Sequence, residues 1–193
     1  VDSTALKEHK ATTRREMTRL RDELPIGERE RQSTQACQQL LDRLAVAQGQ
    51  VIGLFLPIKS EINASMLVEP LRERGARLAL PVPIGRTGMI FRAWERDAPL
   101  VDAGFGTVGP EKTAEELIPD CLIMPLLAFD ARGDRLGYGA GHYDRYISER
   151  IIEGRKPQLI GLAFSFQKLD KVPVGSYDLP LDMIVTERGV YTP

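Results

Sequence analysis

The residues best placed to do chemistry lie in one stretch, AFDARGDRLGYGAGHYD, at positions 128–144. Gly133, Gly137, Gly139 and Gly141 let a backbone approach a ligand closely and take positive φ. Backbone N–H groups gathered just ahead of a helix make a cradle for an anion, and Arg135 adds a planar fork of donors suited to phosphate. The stretch is not a Walker A sequence, since no Gly-Lys-Ser/Thr follows. It is not a GxGxxG dinucleotide fingerprint either, because His142 stands where the third glycine would be. A plain glycine-rich turn accounts for the glycines alone about as well; Arg135 and Asp144, flanking the turn, favour a phosphate site.

Asp144 falls in the first turn of the helix expected to follow. There a carboxylate either complements the helix dipole or serves as a ligand for Mg²⁺, which takes one or two carboxylates together with phosphate oxygens and water. A second carboxylate could come from Asp178 or Asp182, within SYDLPLD. Lys10 and Arg14 are four residues apart and share a helix face. Such a pair is an ordinary solvated face or, with an anion between the two charges, a polyphosphate contact. Lys7, Arg15, Arg19 and Arg21 nearby favour the solvated face. Glu61 is a solvated loop residue or, if buried, an acceptor for the N–H groups of a heterocycle; His142 and Tyr143 stack on such a ring or pack beneath the loop.

The elements that must position these residues follow from hydrophobic periodicity. Residues 5–24 read as a solvated charged helix that ends before Pro25. A second helix carries the stripe Ala36, Cys37, Leu40, Leu41 and Leu44, with Gly49 as its stop. VIGLFLP (51–57), RLALPVP (77–83), CLIMPLL (121–127) and QLIGLAF (158–164) are apolar runs of strand length, buried on both faces. MIFRAW (89–94) reads as a more exposed strand and DMIVTE (182–187) as a short one. Helices are expected over 63–74, with Pro70 against it, and over 142–153. Residues 95–119 form the longest irregular segment, of a length that often carries function. Strands alternating with helices predict a single α/β domain, a mostly parallel sheet covered on both faces, with the glycine-rich stretch at the carboxyl edge where ligands bind.

Composition narrows the function classes. Among 193 residues, 26 are Lys or Arg and 27 are Asp or Glu, a net charge of −1, so no chain-wide field attracts nucleic acid or an acidic membrane. At 42% hydrophobic residues the chain is too apolar for disorder, and no apolar run approaches the roughly 18 residues of a membrane span. The polar start, VDSTALKEHK, does not read as a secretory signal, and its missing initiator Met suggests processing. Two histidines exclude a multi-His zinc site. No GxSxG elbow is present, and Cys37 and Cys121 read as buried free thiols. An enzyme of this composition works through carboxylates, Lys/Arg and backbone amides.

The run MPLLAFDARGDRLGYGAGHYDRYI resembles the signature of the 5-formyltetrahydrofolate cyclo-ligases, also called 5,10-methenyltetrahydrofolate synthetases. Lys10-xxx-Arg14, LFLPIKSEI with Glu61, ALPVP, MIFRAW and VPVGSYDLPLDMIVTE match in the same order across nearly the whole chain. The resemblance implies a Rossmann-like three-layer α/β/α sandwich. It implies an ATP- and Mg²⁺-dependent conversion of 5-formyltetrahydrofolate to 5,10-methenyltetrahydrofolate, with release of ADP and phosphate. It implies phosphate contacts from Lys10 and Arg14, and a nucleotide cradle made of Arg135, Leu136, Gly137, Tyr138, Gly139, Ala140, Gly141, His142 and Tyr143. Asp144 and Asp178 match Mg²⁺ positions, Leu56 and Glu61 pterin contacts, and Tyr138 to His142 a surface facing the folate. Catalysis is expected from Arg135, Tyr143 and Asp144. The expected setting is cytoplasmic, in a monomer or weak homo-oligomer acting on these small molecules without nucleic acid or membrane. Two departures stand out: position 142 is His where the family usually has Tyr, and the family's Gly-x-x-Glu-Pro is Gly106-Thr-Val-Gly109-Pro110 here. They leave a second reading, a non-catalytic nucleotide- or folate-binding paralogue.

Overall fold

The computed structural model describes residues 3–193. Helix α1 (Thr4–Glu23) is opened by Ser3, whose side chain accepts from the Leu6 N–H at 3.2 Å, and it stops before Pro25 as expected. Its surroundings differ from the expectation. Lys10, Thr13, Met17 and Arg21 are buried along one face, so α1 lies against the protein with a polar stripe inward rather than standing in solvent. Helix α2 (Ile26–Leu41) buries Ala36, Cys37, Leu40 and Leu41. It ends well before Gly49, which instead makes a turn at φ 78° and donates to the Gly75 carbonyl at 2.8 Å.

Strand β1 (Val51–Gly53) uses only the first three residues of its apolar run. Gly53 must be glycine: a Cβ there would come within 2.6 Å of Leu122 and 2.8 Å of Phe91. After one more bond, from the Leu54 N–H to the Ala79 carbonyl at 2.9 Å, the chain leaves the sheet. Residues 54–61 thus become a loop over its carboxyl edge. A 3-10 turn (Ala64–Leu67) leads into α3 (Val68–Glu73), whose Pro70 sits in the first turn, where no N–H is required. Strands β2 (Arg77–Ile84) and β3 (Gly88–Ala93) follow.

The stretch expected to be irregular holds three strands. β4 (Leu100–Gly104) and β5 (Thr107–Pro110) form a separate hairpin with a bulge near its tip, and β6 (Glu116–Leu117) pairs with β3. Beyond β7 (Cys121–Met124) come a small ribbon, β8 (Ala128–Phe129) with β9 (Arg135–Leu136), then α4 (His142–Ile152) and β10 (Gln158–Leu162). β11 (Met183–Thr186) is followed by β12 (Gly189–Tyr191), an antiparallel edge strand not foreseen from sequence.

The main sheet runs β12-β11-β10-β7-β1-β2-β3-β6. The five strands from β11 to β2 are parallel, with antiparallel strands at both edges. Alternate residues face opposite layers, as the pleat requires. Leu78, Leu80, Cys121, Ile123, Ile160 and Val185 pack with α2 and α3, whereas Ala79, Leu122, Met124, Leu159 and Ile184 pack with Tyr146 and Ile147 of α4. The expected three-layer α/β/α arrangement is therefore present. Burial lifts both cysteine thiols to about 12, so they are packing groups and not nucleophiles. No helix among the described residues is long and apolar enough to cross a membrane.

The crossover from β1 to β2 runs one way along the sheet with α3 on one face, while that from β7 to β10 runs the other way with α4 on the opposite face. The chain direction switches between β1 and β7. Their carboxyl ends open a crevice there, the place where open α/β sheets bind ligands.

Candidate active site

That crevice is a cleft of about 1030 Å³. Most residues singled out from the sequence line it: Lys10 and Arg14 from α1, Leu56 and Glu61 from the loop after β1, the whole run 135–144, and Asp178 from the segment before β11. Gly133 and Asp182 do not; the Asp182 carboxylate instead accepts from the Leu159 N–H at 2.8 Å and pairs with Lys156 at 3.1 Å. The charges are not balanced locally. Lys7, Lys10, Arg14, Lys59, Arg135 and Arg145 oppose only Glu61, Asp144 and Asp178 along the walls, so a chain of net charge −1 holds a cationic cleft. A smaller depression of about 230 Å³ beside the hairpin carries Glu95, Glu111 and Glu115 and no cation.

Helix α1 supplies the cationic wall. The Lys10 ammonium meets Asp178 Oδ2 at 2.6 Å, and that carboxylate also accepts from the Gly175 N–H at 2.7 Å. One turn on, Arg14 Nε donates to the Gly137 carbonyl at 2.8 Å, which pins the glycine-rich turn to the helix. Gly139 has φ 103°, and a Cβ there would come to 3.2 Å from the Arg14 guanidinium carbon. The positive φ is what calls for glycine here, and the close guanidinium adds to the strain that a side chain would bring.

Opposite, Arg135 is buried and donates to Asp144 Oδ1 at 2.7 Å, while its Nε is buried without a partner among the described residues. Asp144 lies in the first turn of α4 as expected. Its carboxylate is thus claimed by a neighbouring guanidinium, and the capping and ligand roles are not its only options. His142 starts α4, with its Nε2 also buried and unpartnered.

Glu61 is 5% exposed and accepts from the Ile58 N–H at 2.8 Å. Burial pushes its carboxyl above the ordinary value, although the Tyr138 hydroxyl, the Ile58 N–H and the Arg21 charge pull the other way. Burial, reinforced by the negative Glu61, also raises the Tyr138 and Tyr143 phenols, Arg135 opposing it at Tyr143. Both phenols are neutral donors across the working pH range.

Two groups at this site escaped the sequence reading. Arg21, set aside as surface charge, is 3% exposed; it bonds the Tyr138 hydroxyl and lies 5.5 Å from the Tyr138 ring centre. Its signal was the spacing with Met17 and Thr13, which places it on the buried stripe of α1. Phe105, at the hairpin tip between two glycines, takes φ 54° and meets His142 edge-on at 5.9 Å between ring centres. The departure at 109 has a different character. Gly109 is buried against Val82 and Pro81 and is not part of the cleft wall.

Known proteins resemble this chain over most of its length. The profile of the 5-formyltetrahydrofolate cyclo-ligase family matches residues 6–187. The Escherichia coli K12 5-formyltetrahydrofolate cyclo-ligase is 31% identical over 163 residues, covering 81% of this chain and 88% of the relative. The Haemophilus influenzae enzyme of the same name is 28% identical, covering 89% and 95%. Among solved structures, the Aquifex aeolicus 5,10-methenyltetrahydrofolate synthetase superposes with a TM-score of 0.79 at 29% identity, over 95% of this chain and 92% of that one. The Mycoplasma pneumoniae 5,10-methenyltetrahydrofolate synthetase gives 0.74 at 27%, over 92% and 98%. With the match spanning helix α1, the glycine-rich turn and the last parallel strand alike, the chain belongs to the 5-formyltetrahydrofolate cyclo-ligase family.

Proposed function

We propose that this protein closes 5-formyltetrahydrofolate to 5,10-methenyltetrahydrofolate at the expense of ATP, releasing ADP and phosphate. The observation that carries the reading is the cationic cleft at the sheet's switch point, with one buried carboxylate, Glu61, in its lining. A triphosphate suits the first feature and a hydrogen-bonding heterocycle the second. The reading takes the chain as a single domain acting in the cytoplasm, as a monomer or weak homo-oligomer, on these two small molecules and on neither nucleic acid nor membrane.

The chemistry asks little of a protein nucleophile. A formyl amide oxygen is a poor leaving group. Attack by that oxygen on the γ-phosphorus expels ADP and makes it part of a phosphate ester; N10 then bonds to the activated carbon, and phosphate departs with the former formyl oxygen. Phosphoryl transfer of this kind needs positioning and charge neutralisation. Lys10 and Arg14 face the phosphates from α1, and the buried, unpartnered Arg135 Nε is a donor left over for a phosphate oxygen. The backbone of 137–141 approaches closely because Gly139 and Gly141 hold positive φ. Glu61 accepts from the pterin N–H groups and fixes the ring, with Leu56 beside it.

Asp144 and Asp178 are the groups that would hold Mg²⁺. They offer one carboxylate each, and no cluster of three metal-ligating side chains occurs among the described residues. That suits an ion that fills its remaining positions with phosphate oxygens and water. An ion held by these two carboxylates would supply charge neutralisation for the phosphates.

Incubating the protein with Mg·ATP and 5-formyltetrahydrofolate while following methenyl-folate absorbance tests the reading. Product that depends on ATP is expected. No product at any enzyme concentration overturns it, and ATP binding without product returns the paralogue reading. A Gly139→Ala variant is expected to raise the KM for ATP about tenfold, because positive φ and the Arg14 contact together strain an alanine by about 1–2 kcal/mol. The KM for the folate, measured in the same assay, is expected to rise by less.

A further inference from the structure

Arg21 is an unusual residue to find 3% exposed, since buried guanidinium groups are kept only when paired. No carboxylate among the described residues comes within ion-pair distance of it. Its partners are two hydroxyls: Nε donates to Ser60 Oγ at 3.1 Å, and Nη1 donates to the Tyr138 hydroxyl. Each hydroxyl has one proton, and having accepted from Arg21 it can donate that proton onward. Ser60 donates to Asp22 Oδ1. The Tyr138 hydroxyl lies beside Glu61 and favours its ionised form. One buried cation is therefore balanced by two carboxylates, each a single hydroxyl away.

The two hydroxyls belong to different loops beside the cleft. Ser60 precedes Glu61 in the loop after β1, which faces the folate in the function proposed above; Tyr138 lies in the glycine-rich turn, which cradles the nucleotide and borders the folate. We propose that Arg21 and the Tyr138 hydroxyl are positioning residues that bracket these two loops together and fix where the Glu61 carboxylate meets the substrate. The inference rests on the proposed reaction but concerns residues to which that reaction assigns no such part.

Three ionisable groups face Glu61: Arg21 from α1, Tyr138 from the glycine-rich turn and Tyr143 from α4. Tyr143 remains a neutral phenol. Without the Tyr138 hydroxyl, Glu61 keeps the Ile58 N–H but loses a donor that favours its ionised form. The carboxylate then loosens and takes up a proton more readily.

Tyr138→Phe is the test, because it removes one oxygen from a half-exposed ring and leaves the stack on Arg21 in place. In steady-state assays beside the wild type, the KM for 5-formyltetrahydrofolate is expected to rise about tenfold, the loss of one hydrogen bond to a charged group. The KM for ATP is expected to rise by less, because the turn meets the nucleotide through its backbone, which the substitution leaves in place. The acidic limb of the kcat/KM profile for the folate is expected to move to higher pH. Arg21→Lys, which keeps the charge but cannot reach both hydroxyls with one fork, is expected to give the same two changes, with a wild-type circular dichroism spectrum. An unchanged folate KM and acidic limb in Tyr138→Phe overturns the inference. So does an equal rise in both KM values with no pH shift, which marks a merely structural role. A wild-type protein without ATP-dependent turnover overturns the reaction itself, a result distinct from either.

Discussion

Asp144→Asn is expected to lower kcat/KM at least 100-fold, with the loss mainly in kcat. Asparagine keeps the shape and can still accept from Arg135, so the geometry of the first turn of α4 survives. What disappears is a full negative charge at the point where the glycine-rich turn meets the helix. In the proposed reaction that charge helps hold Mg²⁺ against the phosphates, an interaction that matters most as the γ-phosphoryl group is transferred. A 100-fold loss corresponds to about 2.7 kcal/mol of transition-state stabilisation. The same substitution leaves the buried Arg135 guanidinium facing a neutral partner, so stability should fall too. The Arg135 side chain is 6% exposed and that of Asp144 20%, and exchanging a bond to a charged acceptor for one to a neutral acceptor costs about 1 kcal/mol. Thermal unfolding with stopped assays below the midpoint separates the two effects. Activity within about threefold of wild type removes Asp144 from the metal role.

Glu61→Gln should act in opposite directions on function and stability. Folate binding is expected to weaken about 100-fold, because a buried carboxylate that accepts from ring N–H groups becomes an amide that presents a donor to them. The KM for ATP is expected to change less, since the phosphates are assigned to Lys10, Arg14 and the glycine-rich turn. Stability is expected to be unchanged or higher. Burial raises the folded-state pKa of Glu61 above its unfolded value, so ionising it costs more in the folded protein. The wild type therefore loses stability as pH rises from the ordinary glutamate range through the raised folded-state value; the glutamine variant lacks that loss. Chemical denaturation at pH 4 and pH 7, with folate titration of the same samples, reads both signs. A variant that is less stable at pH 7 and binds folate normally contradicts the assignment.

Local features of the site were legible in the sequence because they are contiguous. The apolar strand, the glycines, Arg135 and Asp144 occur within about twenty residues, and strand-turn-helix order alone puts them at the carboxyl edge. Lys10 and Arg14 were ambiguous for the opposite reason. They reach Asp178 and Gly137 across more than a hundred residues, and residue types on a charged helix do not reveal which face is covered. Only the family resemblance tipped them towards phosphate. Arg21 shows the cost of reading α1 as a solvated helix. Thr13 and Met17 on its stripe pointed inward, but a stripe ending in cations looks like surface until something buries it. The 95–119 segment was misread because its strands are short and broken by Gly and Pro, so no alternation persists long enough to register. With the hairpin went Phe105 at its tip, and with the last residues went β12, whose three half-buried residues carry no clear pattern. The edges of the sheet were obscure and its parallel centre was plain, as expected when only the centre is apolar on both faces.

The transfer of the formyl oxygen to phosphate is the step on which the whole account depends. It can be followed directly by supplying 5-formyltetrahydrofolate labelled with ¹⁸O in the formyl group, Mg·ATP and the protein, and then measuring the mass of the released inorganic phosphate. One ¹⁸O per phosphate, in step with methenyl-folate formed, is the predicted result. Methenyl-folate formed with unlabelled phosphate would contradict it.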